Sequence, residues 1–442
     1  MQNRIADLAT LWKQASLVFP YFGQRALNWD AVFEEFLPKV MAAETPRAFH
    51  LHMAEFLNCL GDGHTDYTFP RALLQETGGL PFVLEQEEDG CRIRAVAEEK
   101  REHLGARVIR LNGKKPAELI REGFRYVYHT GEYVYPSRLQ GILSFLLSAR
   151  GNRIETEAGS FSFELTAEQP VMAEEKAAET SDSWRPASEG CITMRLYEGR
   201  ILYIALPDLL YADAAREIAA ALNRQKPAGV ILDLRQNIGG MTAYGARIAE
   251  LFIPGQFHAC QKWTRIMKGV DLASASQLNG WSEERLAKLV ADGLCGWEEI
   301  ERDRAINRGT LYEEYTDCFG QKGQAAVFDG PCYLLTSRNT ISAAEDMTAM
   351  FRSNQRGRIL GDPTFGSTGT PLLASLRTGG HARICSVGYR LLDGTEFIGC
   401  GIQPDPWHKP ARQPGRDTWL ETAVADMQAE VRGQGKEAFI PR

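Results

Sequence analysis

Four short stretches of this 442-residue chain carry side chains whose types and spacing could do chemistry. The first, Thr336-Ser337-Arg338-Asn339-Thr340-Ile341-Ser342-Ala343-Ala344-Glu345, joins a strand-like run to a helix-like one. Ser342 stands at the helix N-terminus, where the dipole stabilises a developing alkoxide and the Ala343 N–H is free to donate. The same residues spell a capping box, Ser342-x-x-Glu345, and on this segment alone the cap is the stronger reading. The second, Asp233-Leu234-Arg235-Gln236-Asn237-Ile238-Gly239-Gly240, runs from a strand into a helix. Its paired glycines leave backbone N–H groups uncovered at a positive helix end, a cradle for a phosphate or an oxyanion. A tight turn that needs glycine torsions is the plainer alternative. The third, Leu60-Gly61-Asp62-Gly63-His64-Thr65, presents one histidine between glycines, either a turn residue or a general base for a serine. The fourth, Asp393-Gly394-Thr395-Glu396, offers carboxylates near a strand end; Glu396 could orient that imidazole or simply face water.

Other chemistries find little support. There is no Walker-type loop, no dinucleotide glycine fingerprint and no His-Glu-x-x-His helix. On a helix, His50 and His52 would point to nearly opposite faces and could not share a metal, so neither metal nor cofactor is expected. Nothing around Cys59, Cys332, Cys385 or Cys400 supplies the electropositive setting that makes a thiolate. The nine cysteines form no Cys-x-x-Cys pair and suit buried thiols in a reducing cytoplasm, an expectation that a trimmed export signal would equally satisfy. Lys and Arg number 50 against 57 Asp and Glu, a net charge of −7 with no basic block, which argues against nucleic acid. No apolar run reaches the ~20 residues of a membrane span.

The elements that must position these stretches follow from periodicity. Residues 1–75 read as a helical region carrying the His64 loop, with Leu8, Leu11, Trp12, Ala15 and Phe19, then Trp29, Val32, Phe33 and Phe36, at helical spacing. Residues 78–170 read as β-rich, with strands near 81–84, 91–96 and 106–111, a turn at Asn112-Gly113 and a helix from Pro116. A solvated linker is expected over 171–195. Residues 196–430 alternate strand and helix: strands at 201–206, 229–234, 332–335, 358–360 and 382–392, helices at 213–225, 244–252 and from Ser342. That alternation implies a parallel or mixed sheet flanked by helices. An insert at 255–325, with Trp263, Trp281 and Trp297, reads as a lid.

Taken in order, the Asp233–Gly240 loop, the Thr340–Glu345 helix start, Gly361-Asp362-Pro363-Thr364-Phe365-Gly366 and the Gly401-Ile402-Gln403-Pro404-Asp405 tail resemble the C-terminal processing and tricorn-type serine peptidases. Leu60–Thr65 is similar to that family's leading signature, and Val108–Gly113 looks like its PDZ-like module. The resemblance implies a multidomain α/β protein with a crotonase- or Clp-protease-like core. It implies Ser342 as nucleophile, with an oxyanion hole from the N–H of Ala343 and of Gly239 or Gly240. Members with a Ser/Lys dyad carry lysine where Ser367 stands here, so the base implied is His64, as in the tricorn branch. The glutamate of that branch maps to Glu396, with Asp393 as the alternative. Implied partners are peptides or unfolded protein tails, and a homo-oligomer is compatible with the family. The alternative is a catalytically silent member that binds peptides or lipids.

Overall fold

The computed structural model describes residues 1–433 apart from 26, 88–89, 169, 175–182, 185–191, 265–272, 274–275, 277–280, 308–316, 412 and 414–415. Of the expected linker over 171–195, residues 175–182 and 185–191 fall outside the described residues, while Met172–Glu174, Ser183–Trp184 and Thr193–Tyr197 are strands and not solvated linker. Of the expected insert, 265–272, 274–275, 277–280 and 308–316 fall outside. The chain divides into two compact units, each built from several segments.

The first unit comprises Met1–Ala177, Thr264–Gln277 and Thr370–Ser386. Its opening helix, Gln2–Val18, buries Leu8, Leu11, Ala15 and Val18 at the spacing read from the sequence. After the single-turn helix Phe22–Arg25, Asn28 and Thr45 start two longer helices, Trp29–Ala42 and Pro46–Asn58, by accepting from the N–H groups of Ala31 and Ala48, both at 3.1 Å. The helix Trp29–Ala42 runs through Pro38, with Phe36 and Val40 buried on either side. Trp29 stacks on Phe56 with ring centroids 4.4 Å apart. Buried Asp7 accepts from the N–H groups of Arg377 and Thr378 (2.9 Å each) and from the Thr378 hydroxyl (2.7 Å), tying the first helix to a hairpin. That hairpin, Pro371–Ser375 with His381–Cys385, adds Asp66–Thr68 as a third antiparallel strand, in register Asp66 opposite Arg383. Three residues are too few for a period to show, so neither Asp66–Thr68 nor its place in a sheet was legible.

The β-rich part of this unit holds two three-stranded antiparallel sheets: Phe82–Glu87, Gly90–Ala97 and Met172–Glu174, and Val108–Leu111, Asn152–Thr156 and Gly159–Phe163. Helices Pro116–Gly123 and Pro136–Leu146 pack Leu119, Ile120, Leu139 and Leu143 onto the apolar sides of these strands. Asn112 and Gly113 both take positive φ (49° and 78°), the signature of a tight hairpin-type turn at the expected dipeptide.

The second unit comprises Ala178–Trp263, Leu278–Gly369 and Val387–Arg442. Its six-stranded sheet runs Ser183–Trp184, Thr193–Tyr197, Ile201–Ala205, Gly229–Asp233, Cys332–Thr336, Arg358–Gly361, antiparallel among the first three and parallel among the last four. Every residue of the two central strands is buried, as the continuous apolar runs required. The last helix, Thr418–Val431, lays Leu420, Ala423, Val424 and Met427 over Ile201, Ile231, Tyr333, Leu335 and Leu360. A Cβ on Gly229 would lie 2.5 Å from Met427 Sδ, so this approach depends on glycine. Within the expected insert, Cys260–Trp263 pairs antiparallel with Gly388–Leu391.

The strand expected over 382–392 is two strands. His381–Cys385 belongs to the first unit's sheet and Gly388–Leu391 to the second unit's, with the change at Ser386-Val387. Alternation reads straight through such a break, because each half keeps the same pattern while changing partner.

Candidate active site

The loop before Ser342 is fastened to the loop after the neighbouring strand. Thr340 Oγ1 donates to Leu234 O (2.8 Å), Ser337 Oγ to Arg235 O (2.5 Å), and Ile341 N–H to Asn237 O (3.1 Å). Asn237 is fully buried and organises the glycine turn. Its Nδ2 donates to Leu206 O and its Oδ1 accepts from Gly239 N–H, both at 2.9 Å. Arg235 braces the base of this loop by donating to Asp233 and Asp417, each at 2.6 Å.

Gly239 takes φ +86°, and a Cβ there would stand 2.6 Å from Ser342 Cβ and 3.1 Å from the Ala343 nitrogen. A Cβ on Gly240, at φ +140°, would stand 2.5 Å from Leu209 O. Both glycines are therefore required by close backbone approach, not merely by the turn. The structure also separates them. The Gly239 N–H is committed to Asn237, whereas those of Gly240 and Ala343 make no hydrogen bond among the described residues. Of the two expected glycine donors, only Gly240 keeps its N–H uncommitted among the described residues.

Ser342 itself has φ +62° and ψ −131°, a backbone setting that an L side chain adopts only when its surroundings enforce it. Its N–H donates to Ser367 O (2.9 Å), and its carbonyl accepts from the N–H groups of Glu345 (2.7 Å) and Asp346 (3.1 Å). The capping box favoured from the segment alone is not formed: Ser342 makes no side-chain cap to the helix Ala343–Ser353. Glu345 turns away from it. That fully buried carboxylate accepts from Thr364 Oγ1 (2.6 Å), Gly366 N–H (2.8 Å) and Ser367 N–H (2.7 Å). Burial pushes its pKa up to about 7, against the pull of those three donors. Asp346 beside it accepts from Thr242 Oγ1 (2.6 Å) and Thr368 Oγ1 (2.7 Å). The pair latches the turn that holds Ser367, whose carbonyl in turn fixes the Ser342 backbone. Sequence reasoning took Glu345 for half of a cap and passed over Asp346. The available signal was two adjacent acids on a helix whose every following position through Phe351 is buried.

His64 belongs to the first unit. Asp62 Oδ2 accepts from the His64 N–H (3.0 Å) and Thr65 Oγ1 (2.8 Å), and Thr65 Oγ1 accepts from Cys385 N–H (3.0 Å), so the loop is pinned to the adjoining sheet. Arg138 donates to Gly63 O (2.5 Å) and Asp66 Oδ2 (2.7 Å), while Arg383 grips Asp66 from the paired strand. The imidazole is buried, and its pKa falls from 6.5 to about 3, first by desolvation, then by Arg383 and Arg138, with Asp66 opposing. It is neutral at pH 7, the form that accepts a proton. Asp66, Arg138 and Arg383 were missed because they are distant in sequence or sit in too short a strand.

The two carboxylate candidates differ. Asp393 Oδ1 accepts from Thr395 N–H (2.9 Å) within its own turn, which holds its pKa down. Glu396 is exposed and its carboxylate has no partner among the described residues. Among the thiols, Cys59 is pushed up to about 11 and Cys332 to about 12, both by burial, so neither is a thiolate near neutrality. His50 shares a 2.5 Å hydrogen bond between Nδ1 and Tyr67 Oη inside the first unit.

Residues 200–406 match the model of Peptidase family S41. The carboxyl-terminal-processing protease of Synechocystis sp. is 26% identical over 223 residues, 50% of this chain and 40% of that protein, so this chain spans well under half the length of that relative. Among solved structures, mature CPAF superposes with a TM-score of 0.70 at 13% identity, covering 99% of both chains. The photosystem II D1 C-terminal processing protease gives a TM-score of 0.50 at 15% identity, covering 97% of this chain and 98% of that one. The fold is thus the mixed α/β fold of these proteases, and residues 200–406 of this chain are similar to peptidase family S41.

Proposed function

We propose that this protein is a serine peptidase that cleaves peptides or unfolded protein tails near their C-termini, with Ser342 as nucleophile, His64 as base and Glu396 as the carboxylate that orients the imidazole. The observation that carries this reading is Ser342 itself: strained, released from capping, and flanked by the two uncommitted amides of Gly240 and Ala343. The names of the relatives support a C-terminal cut. In the same reading the strand–helix unit is a crotonase-like core and the β-rich part of the first unit a PDZ-like module.

The chemistry follows from these groups. Ser342 Oγ attacks the scissile carbonyl carbon as its proton passes to neutral His64. The carbonyl oxygen becomes an oxyanion held by the Gly240 and Ala343 N–H groups, each worth roughly 3 kcal/mol of barrier. Collapse breaks the C–N bond, and His64 returns the proton to the leaving amine. Water, deprotonated by His64, then hydrolyses the acyl-enzyme and restores Ser342. A carboxylate at the imidazole counters the two arginines that depress its basicity, which is the role given to Glu396. Asp393 serves less well because its turn already uses it.

Ser342→Ala tests this directly. The variant should fold with an unchanged circular dichroism spectrum and lose at least 10³-fold in hydrolysis of a quenched fluorescent peptide. Undiminished turnover would remove Ser342 from the reaction, and peptide or lipid binding without turnover by the unmodified protein would favour the silent, ligand-holding alternative.

A further inference from the structure

Arg338 lies four residues before Ser342, in the loop that carries the nucleophile. That loop is rigid: Ser337 N–H donates to Thr340 Oγ1 (3.0 Å), Asn339 N–H to Ser337 Oγ (3.0 Å) and Thr340 N–H to Ser337 O (2.9 Å). Three other arginines of the unit are committed. Arg235 holds two aspartates, Arg352 pairs with Asp405 at 2.5 Å, and Arg356 donates to the carbonyls of Phe252, Phe328 and Gly330. Arg338 has no hydrogen bond or ion pair among the described residues, and its Nη1 is completely shielded from solvent without a partner. A desolvated, unpaired guanidinium nitrogen is unfavourable unless something completes it. Burial raises the pKa of the Cys400 thiol, and the Arg338 charge acts on that thiol to lower it.

We propose that Arg338 binds a carboxylate of the substrate, so that the enzyme selects peptides carrying that charge within a few residues of the cleaved bond. Guanidinium and carboxylate match as a planar, two-bond fork, which suits a donor held in a fixed loop. Four extended residues span at most about 14 Å, so an anion on Arg338 lies within a short peptide's reach of Ser342. Two sources supply the same chemistry: the free C-terminus of a chain, or an acidic side chain near the cut. The inference rests on the peptidase reading for its substrate but not for its test.

Binding is measured in the Ser342→Ala background, where turnover cannot interfere, by fluorescence anisotropy of one labelled alanine- and leucine-rich hexapeptide in three forms. These are the free acid, the C-terminal amide, and the amide with one internal glutamate. A free acid at least fivefold tighter than the plain amide assigns the terminus; the same advantage for the glutamate form assigns the side chain. Adding Arg338→Gln should bring the ratio to about one, and Arg338→Lys should leave it intermediate. Equal affinity for all three forms, or a preference that survives Arg338→Gln, overturns the proposal. Should Arg338→Gln fail to fold, the lysine variant and the three-peptide comparison still decide it. Failure of the peptidase reading shows separately, as unmodified protein that binds these peptides and cleaves none.

Discussion

Ser342 is where the sequence argument was most divided and where the structure is most informative. Capping and nucleophile readings use the same atoms, and only the backbone angle and the hydrogen-bond pattern tell them apart. A serine at φ +62° with no side-chain cap, beside an acid that bonds elsewhere, is not a helix start of the ordinary kind. The setting depends on Gly239, whose missing Cβ leaves room for Ser342. Gly239→Ala would push against Ser342 Cβ and against Ile341 O, 2.8 Å from the new carbon, and move the Ala343 amide. The expected outcome is a fall of roughly 10²-fold in kcat with KM changed less than threefold, read from peptide hydrolysis. The glycines and the serine were legible as residue types with the right spacing. Which of the two glycine amides remains available was not, because that turns on the orientation of a single buried asparagine.

At the scale of elements, the His64 loop shows why a correct residue can be named without its setting. The glycines around it announced a turn, but its rigidity comes from Asp66, Arg138 and Arg383, contributed by a three-residue strand, a helix and a strand more than 300 positions away. Their charges fix the titration. Both arginines and burial favour the neutral ring, so protonation, which abolishes a base, occurs below the ordinary histidine value of 6.5. The acid limb of kcat/KM should accordingly lie below pH 6.5. Arg383→Gln removes the stronger of the two cationic influences and should move that limb upward, toward higher pH, in a pH–rate profile. A limb that stays in place or moves down would contradict the assignment. Long strands and helices with clear periods were readable in both units, whereas short strands and the division of 382–392 were not, because pairing partners leave no mark on local alternation.

Over the whole molecule, the chain returns repeatedly to elements laid down earlier: Asp7 secures residues 377–378, and Asp66 is paired across to Arg383. The order of motifs was visible in the sequence, as was the mixed α/β class, since both depend on composition and spacing. The two-unit division was not, because each unit gathers separated segments whose association is a property of tertiary packing. The proposed part of His64 as the base for Ser342 is tested most directly by the rate at which a fluorophosphonate modifies the protein, with the site read by mass spectrometry. Expected is a single adduct on Ser342, forming at least 10²-fold more slowly in a folded His64→Gln variant. Modification of another residue, or an equal rate in that variant, would contradict the claim.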